Sequence, residues 1–133
     1  MEWAALLAWV VTALGGASLL AQWLRHGGLR QREGIRALRL FAHAGLAVVG
    51  VGLWTAFVVS DNAVLAWVSV GLLVAVVLLG ATMLAIWLRG QNRREHTTVP
   101  AETSFPVPVV LLHGLLGIST LALAVLAASG VGT

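Results

Sequence analysis

The sequence predicts an all-α integral membrane protein: an up-down bundle of four transmembrane helices with both termini on the outer side of the membrane. Three observations carry this reading. Of 133 residues, 59% are hydrophobic and only 10% charged, a balance outside the range of soluble globular domains. The apolar residues gather into four runs, each long enough to cross a bilayer. The eight basic side chains are all Arg and fall in two short stretches between runs.

The first run, residues 3–24, spans about 33 Å as a helix, against a hydrocarbon core of about 30 Å. Glu2 and the lack of a basic residue before it favour a retained anchor over a cleaved leader, whose apolar region is shorter. The second span is expected at 38–60 and the third at 64–88. Ser60, Asp61 and Asn62 leave only a minimal turn between them, so these two helices should form a tight antiparallel hairpin. The fourth span is expected at 105–128. It opens with Thr103-Ser104-Phe105-Pro106-Val107-Pro108, a hydroxyl cap followed by prolines in a first turn whose N–H groups lack intrahelical partners anyway. The whole chain, 1–133, reads as a single transmembrane domain.

Arg25, Arg30, Arg32, Arg36 and Arg39 fill the first loop and its exit, and Arg89, Arg93 and Arg94 fill the third. The N-terminus, the 60–62 turn and the C-terminal tail have none. The positive-inside rule therefore expects loops 25–35 and 89–104 in the cytoplasm of a multi-pass plasma-membrane protein, N-out and C-out. Trp3, Trp54 and Trp67 fall toward outer span ends and Trp23 and Trp87 at inner ends, the pattern of an interfacial belt. Trp9 lies well inside and is expected to pack. Gly45, Gly50, Gly52, Gly114 and Gly117 are expected to let a neighbouring helix or a flat cofactor approach closely.

A net charge of +3 does not point to nucleic acid, because the juxtamembrane placement of the arginines accounts for it. With no cysteine, thiolate zinc, iron–sulfur and disulfide chemistry are excluded. Carboxylates fall outside the spans, which argues against proton-coupled transport, and no Ser, His and acid constellation for hydrolysis converges within the bilayer.

Ala21-Gln22-Trp23-Leu24-Arg25 recurs as Ala85-Ile86-Trp87-Leu88-Arg89, and each copy is followed by a helix bearing His-Ala-Gly-Leu (43–46) or His-Gly-Leu (113–115). Two repeated helical hairpins would explain this, as would the preference of bilayer interfaces for Trp and Arg. His43 and His113 are the two ionisable side chains clearly inside spans, which makes them a functional hypothesis. Spans two and four run in the same direction, so the two His should share a leaflet at depths differing by about 6 Å. Diagonal axes roughly 11–14 Å apart would let two inward imidazoles bracket a metal-centred macrocycle. Arg36 and Arg39, a turn or two below His43, could pair with its carboxylates. The simpler expectation is that the two His hydrogen-bond to each other, to backbone or to hydroxyls such as Thr120, and so tie the bundle together.

With inward His on apolar, Gly-containing helices, the chain resembles small b-type membrane cytochromes, the cytochrome b561-like four-helix bundles. The resemblance covers the helices around His43 and His113 and implies one haem b with these as axial ligands. Those families carry a second His pair on the other side of the membrane, and this sequence has no His on its outer half. Electron transfer across the full bilayer would then need a quinone or a partner subunit. The competing expectation is a non-enzymatic accessory subunit that docks its apolar faces on a larger membrane complex; association into a homo-oligomer would count against that reading. His26 and His96 lie in the charged loops and are expected to be solvated.

Overall fold

The computed structural model describes residues 1–92 and 99–130. It contains four helices, α1 Glu2–Arg25, α2 Ala37–Ser60, α3 Ala63–Asn92 and α4 Val107–Ala128, all long and apolar enough to cross a membrane. Arg93, Arg94, Glu95 and His96 lie outside the described residues.

Each boundary has a local cause. After α1, Gly27 takes a left-handed backbone (φ 80°), a conformation that costs glycine nothing. At the other end of the bundle, Asp61 (φ 53°) stops α2, and the Asn62 side chain then accepts the Val64 N–H at 2.9 Å, capping α3. The 60–62 turn thus makes the tight α2–α3 hairpin expected of it, and α2 against α3 is one of the two most extensive helix contacts.

Two boundaries differ from expectation. The third helix runs on to Asn92, because nothing in Arg89-Gly90-Gln91 forces a stop once the chain reaches the polar boundary. The start of α4 lies at Val107 and not 105, with Pro106 as its cap residue. The Thr103 and Ser104 hydroxyls instead bond back to Pro100 O (2.7 Å) and Ala101 O (2.6 Å), closing a separate 3₁₀ turn over Ala101–Ser104. A short hydroxyl side chain has carbonyls of its own turn within reach, and these win over a helix that begins three residues later.

The bundle is arranged as two layers, α1 against α4 and α2 against α3, with sparser contact across α1–α2 and α3–α4. The core divides accordingly. One cluster, at the end that carries the 60–62 turn, joins Ala5, Trp9, Trp54, Phe57, Ala66, Val70, Leu73 and Ala124. The other, at the Arg-loop end, joins Leu19, Trp23, Ile35, Leu40, Trp87 and Phe105. Residues early in α1 and α3 thereby meet residues late in α2 and α4, which is the up-down alternation. Trp3 and Trp67 are exposed on the outside, but Trp23, Trp54 and Trp87 are buried against other helices. A Trp at a helix end can turn inward to fill a core, and Trp23, Trp54 and Trp87 do so.

The Arg-loop end is closed by a carboxylate. Glu102, 3% exposed, accepts the Ile35 backbone N–H and the Gln31 side-chain N–H, both at 2.8 Å. Gln31 in turn donates to Ile35 O and accepts the Ala101 N–H, each at 2.8 Å. Gly34 (φ 77°) lies so close to Glu102 that any Cβ there would collide with the carboxylate. The two loops are thus tied to each other by buried and half-buried polar side chains outside the long helices.

Candidate functional site: two imidazoles between helix layers

His43 and His113 lie between the two core clusters. Each is the seventh residue of its helix, counted from Ala37 and from Val107. Starting α4 later and α2 one residue earlier than expected removes the anticipated difference in depth. The ring centroids are 6.1 Å apart and the planes inclined at 67°.

Each imidazole is held by a backbone carbonyl of its own layer. His43 Nδ1 donates to Val76 O of α3 at 2.9 Å, and His113 Nδ1 donates to Thr12 O of α1 at 3.0 Å. A carbonyl oxygen only accepts, so Nδ1 carries a proton, and in the neutral imidazole Nε2 then keeps its lone pair. The Thr12 hydroxyl lies 2.7 Å from Ala8 O and 3.2 Å from the Thr120 hydroxyl, itself 2.7 Å from Leu116 O; two protons serve three contacts, so one hydroxyl donates to the other only by leaving its own carbonyl. These hydroxyls lie between α1 and α4 and leave the imidazoles to the main chain, the backbone alternative of the simpler expectation, while Thr120 partners neither His.

Glycine makes the room for both rings. A Cβ on Gly16 would stand 2.9 Å from His113 Cε1, and one on Gly80 would stand 3.2 Å from His43 Cε1. The glycines named from sequence act differently. Gly50 receives Trp9, whose Cζ2 would lie 2.6 Å from a Cβ there, whereas Gly45, Gly52 and Gly114 have open space. The two that matter for the imidazoles were missed, although a signal existed. Thr12 to Val76, Gly16 to Gly80 and Trp23 to Trp87 are all one step of 64 residues, and His43 to His113 is a step of 70. Under these steps the α2–α3 layer maps onto α4–α1 and each His keeps its carbonyl and its glycine. The same steps carry buried Trp54 to buried Ala124, Phe57 to Ala127 and Ile35 to Phe105.

Two cavities open from the slot between the layers. One of about 400 Å³ lies mainly between α3 and α4 and is lined by both His with Gly80, Gly114 and Gly117. The other, of about 250 Å³, lies mainly between α1 and α2 and is lined by both His with Gly16, Met83 and Trp87. The imidazoles stand at the common wall. Arg36 is the exposed residue before α2, and Arg39, in its first turn, is half-buried; neither lines these cavities.

A metal–imidazole bond of roughly 2.0–2.1 Å, plus about 1.1 Å from nitrogen to ring centre on each side, puts the centroids of two trans imidazoles roughly 6 Å apart. The centroids here are 6.1 Å apart. The interplanar angle is unconstrained in such a pair, because both ring planes contain the nitrogen–metal–nitrogen axis. Among the described residues, no group of three or more His, Cys, Asp or Glu gathers in one place. Two imidazoles do not complete the shell of a bare metal ion. They do complete that of a macrocycle-bound iron, whose ring supplies the equatorial nitrogens. No known protein family, curated protein or solved structure matches the chain.

Proposed function

We propose that the chain is a small haem-binding, electron-transfer membrane subunit, with His43 and His113 as the two axial ligands of one haem b. The observation that carries this is the pairing of a 6.1 Å ring separation with Nδ1 of each imidazole committed to a carbonyl. A ligating His generally donates its other ring N–H to a nearby carbonyl or carboxylate, which fixes the tautomer and raises the basicity of the ligating nitrogen. Val76 O and Thr12 O play that part here. One ligand comes from each layer, so a flat group lying in the slot would be held on both faces, with the two cavities receiving its opposite edges. The bound group would supply one-electron chemistry between ferric and ferrous iron.

The protein's own contribution is to exclude water around the ring, keep both Nε2 atoms unprotonated and leave the ring no polar side-chain partner except at its margins. Arg36 and Arg39, below His43 on α2, are positioned by sequence to offer charge to carboxylates at the loop end. The arginine bias sets that end in the cytoplasm of a plasma-membrane protein with both termini outside. A single site in one leaflet does not bridge the bilayer, so a quinone or a partner subunit completes the path. The 64- and 70-residue steps describe two repeated hairpins, related by an axis along the membrane normal, with one ligand in each.

The test is absorption spectroscopy of protein purified from cells supplied with haem. A b-type Soret band with one haem per chain is expected, and it should be lost in His43→Ala and in His113→Ala. A folded, colourless protein would instead support the His pair as packing residues of an accessory subunit.

A further inference from the structure

We propose that the Trp87 indole N–H is a hydrogen-bond donor to a carboxylate on the edge of the bound macrocycle, so that it orients the ring in the slot. This rests on the haem reading above. Trp87 is 4% exposed and its Nε1 has no partner among the described residues. A buried donor left unpaired is unfavourable, and native proteins rarely tolerate it without a use. The indole ring borders a cavity, although Nε1 itself is sealed from it until a neighbour moves. Trp87 lines the α1–α2 cavity that both imidazoles also line. It comes seven residues after Gly80, two helical turns on the same face and about 10.5 Å nearer the Arg-loop end. Met83, on the same stripe and lining the same cavity, is a flexible neighbour that can move aside for an acceptor.

The 64-residue counterpart, Trp23, supplies a contrast within the same molecule. Its Nε1 is also buried and unpartnered among the described residues, yet its ring lies hard against Gly28, meets Phe41 edge-on with centroids 6.3 Å apart, and lines neither cavity. Of these two indoles, only that of Trp87 borders the slot. A ring carrying carboxylates on one edge would meet Trp87 there and, from α2, the charge of Arg36 and Arg39 beyond it. Metal ligation by His43 and His113 is the same for either orientation of the ring, so the donor supplies what the imidazoles cannot.

The experiment titrates haem, and separately its dimethyl ester, into detergent-solubilised wild type, Trp87→Phe and Trp23→Phe, following the Soret band. Phe keeps the aromatic bulk and removes the N–H, and the ester keeps the ring and removes the carboxylates. The preference of wild type for haem over the ester should fall about ten- to hundred-fold in Trp87→Phe, the fold-change that a hydrogen bond to a charged acceptor contributes. Trp23→Phe should leave that preference unchanged. An unchanged preference in Trp87→Phe, an equal loss of affinity for haem and ester, or the same fall in Trp23→Phe overturns the proposal while leaving bis-His ligation in place. Failure of wild type to bind haem at all overturns the underlying reading with it. In wild type itself, the Raman band that reports indole N–H hydrogen bonding should shift on loading with haem but not with the ester; identical bands in the two loaded forms count against the proposal without any variant having to fold.

Discussion

Replacing Glu102 by Ala tests the loop clamp most sharply. The substitution removes two 2.8 Å bonds, from Ile35 N–H and from the Gln31 side chain, and strands the Ile35 donor beside a residue only 2% exposed. Hydrogen bonds to a charged acceptor are worth about 1.5–3 kcal/mol each, with a buried orphan donor adding its own desolvation cost. Gln31 keeps its bonds to Ile35 O and Ala101 N–H, so part of the loss is recovered. The expected destabilisation is about 3–4 kcal/mol. Glu102→Gln keeps an oxygen for Ile35 N–H but sets its amide N–H₂ against that of Gln31, so one bond is lost and roughly 1–2 kcal/mol is expected. Reversible unfolding by dodecyl sulfate in mixed micelles, followed by tryptophan fluorescence, measures both. An Ala variant within about 0.5 kcal/mol of wild type, the range of an ordinary surface change, would refute the clamp, as would equal losses in the Ala and Gln variants.

The glycines divide into two classes that the same unfolding assay separates. Gly50→Ala drives a methyl into Trp9 and Gly16→Ala drives one into His113, each costing about 1–3 kcal/mol by overpacking. Gly45→Ala and Gly52→Ala meet nothing and should be neutral or stabilising by up to about 1 kcal/mol. Thr12→Val and Thr120→Val should each cost only about 0.6 kcal/mol, the average for a polar contact between membrane helices. The double variant should cost little more than either, because the two changes remove one shared contact. Since the chain has no cysteine, single cysteines report topology directly. Asp61→Cys should react with an impermeant maleimide from outside the cell, and Arg32→Cys only after permeabilisation; the reverse pattern would invert the proposed orientation.

Much of the helical architecture was legible because long apolar runs separated by short polar stretches are one-dimensional signals. Apolar runs of the right length became α1 to α4, and the alternation they impose set α2 and α4 diagonal, with His43 and His113 facing each other. What escaped was set by short-range competition. The start of α4 depended on whether Thr103 and Ser104 capped a helix or closed their own turn. The burial of Glu102 depended on a fold-back of two loops that no periodicity encodes. The inward turn of Trp23 and Trp87 could not be told from interfacial anchoring, since both readings place Trp at helix ends. Gly16 and Gly80 were within reach: the 64-residue step visible at Trp23 and Trp87 passes through them, but helical spacing within one span drew attention to Gly45 and Gly114 instead.

Electron paramagnetic resonance of the ferric, haem-loaded protein tests the central claim most directly, because it reads the number and kind of axial ligands. Two imidazoles held as His43 and His113 are held should give a low-spin, six-coordinate signal in wild type. His43→Ala and His113→Ala should each lose haem or pass to a high-spin, five-coordinate signal, and added imidazole should restore low spin. Either variant retaining the wild-type low-spin signal and full haem content would contradict ligation by this pair.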